Sequence, residues 1–270
     1  MILSTIKLYI YNLYKMQINS HTELEKFYLE CNENNKTEGI ETDIVDSSKF
    51  NQWKYYNVEP EIDLLGLKIN YSMFRYQNHE SKLDKQLIVI PGFSKKSICW
   101  TLGRINLYLE KLQEIYSDIC IFNLIDLKNK TELLKGQGHC NYEIYKGIGS
   151  QLNKILKSMG KNNISLLGRS AGGALAIILS SINDNVNGLN LACPGYEDQM
   201  IQDFVDSGNM IPIRMVWAEE DTKIPIEKGD KLNTILSANK FDINFIKVST
   251  GKSEHKYNHR IQKELIDILV

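Results

Sequence analysis

The sequence predicts an α/β fold: a doubly wound, mostly parallel sheet with helices on both faces. Three observations lead there. From about residue 61 onward, short strand-like runs alternate with helical segments of about 12 to 20 residues. Two of the runs, QLIVI and ISLLG, are almost continuously apolar, as strands covered on both faces must be. The connections are short, and this order closes most simply as parallel strands joined by crossover helices.

Residues 1–60 show no clear strand pattern. An amphipathic start gives way to the acid-rich stretch ECNENNKTEGIETDIVDSS, and the segment is expected as an extension packed on the domain formed by residues 61–270. LLGLKINYSMFRY (64–76) carries the β-branched and aromatic residues of a strand. QLIVIPGF (86–93) is an apolar run stopped by Pro-Gly. SICWTLGRINLYLEKLQEIY (97–116) has helical spacing, DICIFNLIDL (118–127) returns to strand character, and NYEIYKGIGSQLNKILKSM (141–159) reads as a helix closed by Gly160. NISLLGRS (163–170) is a strand running directly into the small, apolar helix AGGALAIILSSI (171–182). Strands follow at 186–196, 211–221 and 241–250, with helices at 224–236 and, finally, 259–270. In such sheets ligands bind beyond the carboxyl ends of the strands. The chemistry is therefore expected in the loops after residues 91, 127, 168, 196, 220 and 250.

Composition narrows the function. The chain has 270 residues, 43% of them hydrophobic and 24% charged, enough for a core without disulfides or metals. The formal net charge of -1 provides no field for nucleic acid or an anionic membrane. Lys, Ile and Asn are abundant, as expected of an AT-rich genome. The cysteines Cys31, Cys99, Cys120, Cys140 and Cys193 are odd in number and far apart, with no metal-ligand spacing. They are expected as buried, reduced thiols, with no structural zinc. Lys7 interrupts the apolar N-terminus and no small-residue cleavage site follows, so no signal peptide is expected. No uncharged apolar run is long enough for a membrane-spanning helix. An intracellular, cytoplasmic protein fits these features best. Oligomeric state is left open.

One loop carries a sharper signal. Gly168-Arg169-Ser170-Ala171-Gly172-Gly173 is a G-x-S-x-G between an apolar strand and a helix. A serine in a sharp strand-to-helix turn is forced into strained geometry, with its hydroxyl pushed out over the sheet. Gly168 and Gly172 remove the Cβ atoms that would clash there. The following helix turns its free N–H groups toward the site, where they favour an oxyanion. Ser170 is read as a nucleophile. A G-x-G-x-x-G is absent, so a dinucleotide site is not the natural alternative.

ISLLGRSAGGALAIILSS resembles the nucleophile elbow of the α/β-hydrolase superfamily, and the resemblance extends over about residues 61–270. It implies the chain order serine, acid, histidine. Asp221, in the D-x-x-I-P turn after the strand IRMVW, resembles the family's acid. Glu219 and Glu220 lie one or two residues back, and Asp198 follows the preceding strand. His255, in GKSEH after the last strand, resembles the family's base, with His259 as its rival. His21 and His79 read as surface residues. His139, in GQGHC, could line the site but precedes the serine. The resemblance also implies an oxyanion hole from two backbone N–H groups. Ala171 supplies one. Phe93, in Pro91-Gly92-Phe93-Ser94, supplies the other, with Ser94 as its alternative. Pro91 stands where the family has His.

About 50 residues separate Ser170 from Asp221, which leaves no room for a large lid domain. A cover would have to come from residues 128–141 or from the N-terminal 60. Met200, Phe204, Tyr196 and Trp100 are apolar candidates for an acyl pocket, although core packing is the more ordinary use of such residues. Taken together, the residues point to a serine hydrolase of carboxylesterase or lipase-like type. It would cleave a small-molecule ester or thioester through an acyl-enzyme, with no cofactor and no metal. A serine peptidase and a non-catalytic binding protein of the same fold are the alternatives.

Overall fold

The computed structural model describes residues 16–18, 52–64, 67–92, 95–123, 142–160, 162–249 and 251, and the helical positions 264, 266, 267 and 269. Among them, nine strands form one sheet in the order β1-β2-β3-β5-β4-β6-β7-β8-β9. They are β1 Met16–Ile18, β2 Trp53–Leu64, β3 Leu67–Gln77, β4 Gln86–Ile90, β5 Asp118–Asn123, β6 Ile164–Arg169, β7 Val186–Ala192, β8 Ile213–Ala218 and β9 Ile243–Val248. The pairs from β5 through β4 and on to β9 are parallel. β1, β2 and β3 join antiparallel to their neighbours. The fold class is the one expected from the alternation of strands and helices.

The helices are α1 Lys95–Leu107, α2 Leu109–Leu112, α3 Tyr142–Ser158, α4 Ala171–Ile182, α5 Asp198–Asp206 and α6 Ile226–Ala238. The central strands β4 and β6 are buried at every position, which is why their runs are apolar without alternation. α4 is buried from Gly172 to Ser180 and packs against α3 and α5 as well as the sheet. Gly149 of α3 allows the close approach: a Cβ there would lie 2.6 Å from Ile178 Cγ2. Each large aliphatic side chain buried in these layers contributes roughly 1.5–3 kcal/mol. No helix among the described residues is long and apolar enough to cross a membrane.

The first sixty residues depart from expectation. Met16–Ile18 is a strand, and β2 begins at Trp53 and crosses the boundary placed near residue 60. Its pattern is hard to read because WKYYNVEPEIDL breaks its alternation with Pro60 between two acids. Pro60 falls where the pairing with β3 shifts register, between Val58 and Ile62, and an irregularity is where a strand tolerates proline. Trp53 is buried and donates its indole N–H to Asn106 Oδ1 at 3.2 Å, tying β2 to α1.

Among the described residues, the β2–β3 hairpin extends beyond the strand beside it. Within them β3 pairs with β5 from Ser72↔Asn123 to Gln77↔Asp118, and the β2–β3 pairs from Val58↔Tyr71 to Leu64↔Leu67 continue past that end. Because β3 runs antiparallel to β5, this overhang lies on the carboxyl side of the parallel strands. At the opposite end Asp118, buried in β5, accepts from Arg75 Nη2 at 2.6 Å and Nε at 3.1 Å and fixes the antiparallel register.

Candidate active site

β6 ends at Arg169, and the chain turns into α4 through a single residue. That residue, Ser170, has φ 51° and ψ -123°, a backbone conformation that costs a non-glycine residue roughly 1–3 kcal/mol. Its neighbours over-determine it. Ser170 N–H donates to Ala192 O at 3.0 Å, and its own carbonyl accepts from Gly173 N–H and Gly195 N–H, each at 2.9 Å. The glycines show why the motif needs them. A Cβ on Gly168 would meet Ala176 Cβ and Gly173 Cα at 2.7 Å, and one on Gly172 would lie 2.0 Å from Ile90 O. Both positions, read from spacing as relief from clashes, are closed to any side chain.

The loop after β4 reaches the same place. Pro91 and Gly92 are buried, and a Cβ on Gly92 would stand 3.5 Å from Ser170 Cβ and 3.3 Å from Ser97 Oγ. The chain leaving Gly92 toward residue 93 therefore starts beside the serine. Ala171, half-buried, opens α4 on the other side. Phe93 and Ser94 lie outside the described residues.

Among the four acids considered, burial separates Asp221. It is only 3% exposed, and its Oδ1 accepts from Lys223 N–H at 2.9 Å and Ile224 N–H at 3.0 Å. The turn is fastened by Trp217, whose indole N–H donates to Ile224 O at 2.8 Å. Glu219 is exposed. Glu220 accepts from the Ser249 hydroxyl, and from Gly251 N–H at 3.2 Å, where the chain leaves β9. Asp198 has a side chain 71% exposed, paired with Lys231 Nζ at 2.7 Å on the surface. His255, His259 and His139 lie outside the described residues, as do residues 128–141. His79 is exposed in the turn after β3.

Met200, Phe204 and Tyr196 are core residues, at most 3% exposed, so these three candidates for an acyl pocket pack inside the protein. Phe204 lies 5.0 Å from Phe241, ring to ring, and Tyr196 donates its hydroxyl to Lys228 O at 2.7 Å. The side chain of Trp100 lies outside the described set.

Two residues near Ser170 were not assigned from sequence. Arg169, the variable position of the motif, is buried and donates from Nη1 to Ser97 Oγ at 3.4 Å. Cys193, directly after β7, is buried with φ 40° and lies against the Asp221 carboxylate. Burial pushes its thiol well above the usual range and Asp221 adds to this, while the Ala218 amide and Arg169 oppose it. Burial also lowers the pKa of Arg169, against the opposing influence of Cys193 and Asp221. The sequence held one usable signal for Arg169: a lone charge between an apolar strand and Ala-Gly-Gly has no solvent-facing side to occupy.

No family model and no curated protein matches the chain. Solved structures do match. The chain is similar to one from Thermoplasma acidophilum described as a predicted CIB-like hydrolase, with TM-score 0.56 and 17% identity over 80% of this chain and 98% of that one. The chain has the α/β-hydrolase fold. A cold-adapted esterase from an Arctic intertidal metagenomic library matches this hydrolase fold with TM-score 0.52 and 9% identity, over 80% of this chain and 93% of the other. An α/β serine hydrolase homologue from Coxiella burnetii matches with TM-score 0.50 and 13% identity, over 75% and 93%. In the hydrolase fold of this chain, Ser170, Gly92 and Asp221 all stand at the carboxyl ends of parallel strands.

Proposed function

We propose that the protein is a serine hydrolase that cleaves a carboxylic ester or thioester of a small molecule through an acyl-enzyme. The observation that carries this is the geometry of Ser170: a strained backbone held by three hydrogen bonds, with Gly92 packed against its Cβ. Strain held in the half-buried turn between a central strand and its helix is expected where chemistry needs it. Solved structures of the same fold include proteins described as hydrolases and esterases.

In this reading Ser170 Oγ attacks the substrate carbonyl carbon while His255 takes the hydroxyl proton. Asp221 accepts the other imidazole N–H, fixes the tautomer and stabilises the imidazolium. The tetrahedral oxyanion accepts hydrogen bonds from the N–H groups of Phe93 and Ala171. Collapse of the intermediate expels the alcohol or thiol, which receives the proton from His255. Water then attacks the acyl-enzyme with the same histidine as base, and carboxylic acid leaves Ser170 free. The β2–β3 overhang places backbone on the carboxyl side of the sheet, where it can wall the substrate site.

The test combines a fluorophosphonate probe with two substrate series. Labelling of Ser170 in the native protein, together with turnover of short p-nitrophenyl esters above aminoacyl anilides, supports the proposal. Faster anilide cleavage redirects it to a peptidase. An unlabelled Ser170 in a folded sample leaves a binding protein of the same fold.

A further inference from the structure

The loop between β7 and α5 has five residues, Cys193-Pro194-Gly195-Tyr196-Glu197, and its first four are buried. Buried backbone must place its polar groups on partners, and this loop spreads its attachments over several neighbours. Cys193 N–H donates to Val216 O at 3.1 Å, near the end of β8. Pro194 packs on the first turn of α4, where a Cβ on Gly173 would lie 2.6 Å from Pro194 Cβ. Gly195 N–H donates to the carbonyl of Ser170 at 2.9 Å. Tyr196, 3% exposed, reaches α6 and donates its hydroxyl to Lys228 O at 2.7 Å.

From α6 the connection runs back to the acid. Lys228 lies in the first turn of that helix, and its N–H donates to Pro225 O at 3.0 Å. Just before the turn, Ile224 gives its N–H to Asp221 Oδ1 at 3.0 Å, and its carbonyl accepts from the Trp217 indole at 2.8 Å. Lys228 also answers Tyr196 from its own side, with Nζ 3.4 Å from Tyr196 O and 5.4 Å from the ring centre. Resting on the serine-hydrolase reading, we infer that Tyr196 is a positioning residue: its hydroxyl holds the first turn of α6, and with it the Asp221 turn, at a fixed distance from the backbone that carries Ser170.

Packing alone would be served by phenylalanine. The Lys228 carbonyl belongs to the α6 ladder, and the phenol takes its second lone pair, so removing the hydroxyl orphans no carbonyl. What disappears is one directional bond between the loop that grips Ser170 and the helix that follows Asp221. Apolar contacts tolerate sliding, whereas a hydrogen bond sets both distance and direction. Misplacing a group of the reacting constellation by about 1 Å can cost up to about 100-fold in rate. The acid does not touch the substrate in this reading, so the loss should appear in kcat and leave KM in place.

The experiment compares the parent chain with Tyr196→Phe, Asp221→Asn, the double variant, and Phe204→Leu. Phe204, buried in α5 against Phe241, supplies a core change outside this link. Ester kcat and KM, the rate at which a fluorophosphonate labels Ser170, and the melting temperature are measured on each. Tyr196→Phe should lower kcat and the labelling rate about tenfold, with KM within about twofold of the parent. In the Asp221→Asn background the same change should cost less than about twofold, because the acid it positions is already disabled. Phe204→Leu should lower the melting temperature at least as much as Tyr196→Phe while kcat stays near the parent value. Parent kcat in Tyr196→Phe, a change confined to KM, an equal loss in both backgrounds, or the same kcat loss in Phe204→Leu each overturns the inference. Failure of Tyr196→Phe to fold overturns it too, since the hydroxyl then serves the fold at large. If Asp221→Asn is too slow to measure, the comparison of Tyr196→Phe with Phe204→Leu decides. A parent chain left unlabelled at Ser170 removes the hydrolase reading and this inference with it. A labelled parent whose Tyr196→Phe variant labels at the parent rate removes the inference alone.

Discussion

A Cβ placed on Gly172 would lie 2.0 Å from the carbonyl oxygen of Ile90. The first turn of α4 thus rests directly on the end of β4, the strand that leads into the Pro91-Gly92 loop. No side chain can yield there, because both partners are backbone. Gly172→Ala should therefore cost about 3 kcal/mol or more, at the upper end of overpacking substitutions. Urea unfolding measures the loss, and the same shift should slow fluorophosphonate labelling of Ser170 in whatever fraction still folds.

Ser170 stores strain that glycine would release. Ser170→Gly removes the Cβ that disfavours φ 51° and should raise stability by about 1 kcal/mol while abolishing turnover. Ser170→Ala keeps the Cβ, so it should lose activity by roughly 10³-fold or more without a comparable gain in stability. Thermal melts of the two variants beside the parent separate a strained catalytic turn from an ordinary one.

The parts of the site that sequence disclosed are those where backbone geometry dictates residue type. Gly168 and Gly172 are forced by contacts shorter than any side chain allows, and β4 and β6 are apolar because both faces are covered. Asp221, read as the acid from the resemblance of its D-x-x-I-P turn, is a buried carboxylate that accepts from the Lys223 and Ile224 N–H groups of that turn. β2 was not legible, since Pro60 and its flanking acids interrupt the period at a register shift that only the pairing with β3 reveals. Arg169 was passed over because the partner of its buried guanidinium, Ser97 Oγ in the first turn of α1, lies 72 residues away in the chain. The fates of Met200, Phe204 and Tyr196 depended on which side of the sheet they face, and composition carries no such direction.

Asp221 and Asp198 provide a direct choice between two candidate acids. Asp221→Asn keeps an oxygen for the Lys223 and Ile224 N–H groups, so the turn should fold as before. Activity should nevertheless fall by about 10⁴, because an amide cannot hold the histidine in the required tautomer. Asp198→Asn loses only an exposed pair with Lys231 and should leave turnover and melting temperature close to the parent. Loss of activity in the second variant, with retention in the first, would reverse the assignment. Steady-state kinetics on both settles the order.

Cys193 makes stability depend on alkaline pH in a defined direction. Burial raises its thiol pKa above the value in the unfolded chain, and Asp221 beside it adds to the effect. The native state then holds the proton where the unfolded state releases it. The associated stabilisation is complete below about pH 8.5 and is lost as pH rises from there toward the folded value. Tyr196 contributes in the same sense from about pH 10 upward, since burial raises its phenol too, with Asp198 adding to it. The urea midpoint of the parent should fall between about pH 7 and about pH 10, and Cys193→Ala should make that fall shallower. The thiol should also stay inert to a disulfide reagent at neutral pH until the chain is unfolded, because the thiolate is the reactive form. Rapid modification of Cys193 in the native protein, or a midpoint as pH-dependent in Cys193→Ala as in the parent, would contradict the placement of this thiol beside the acid.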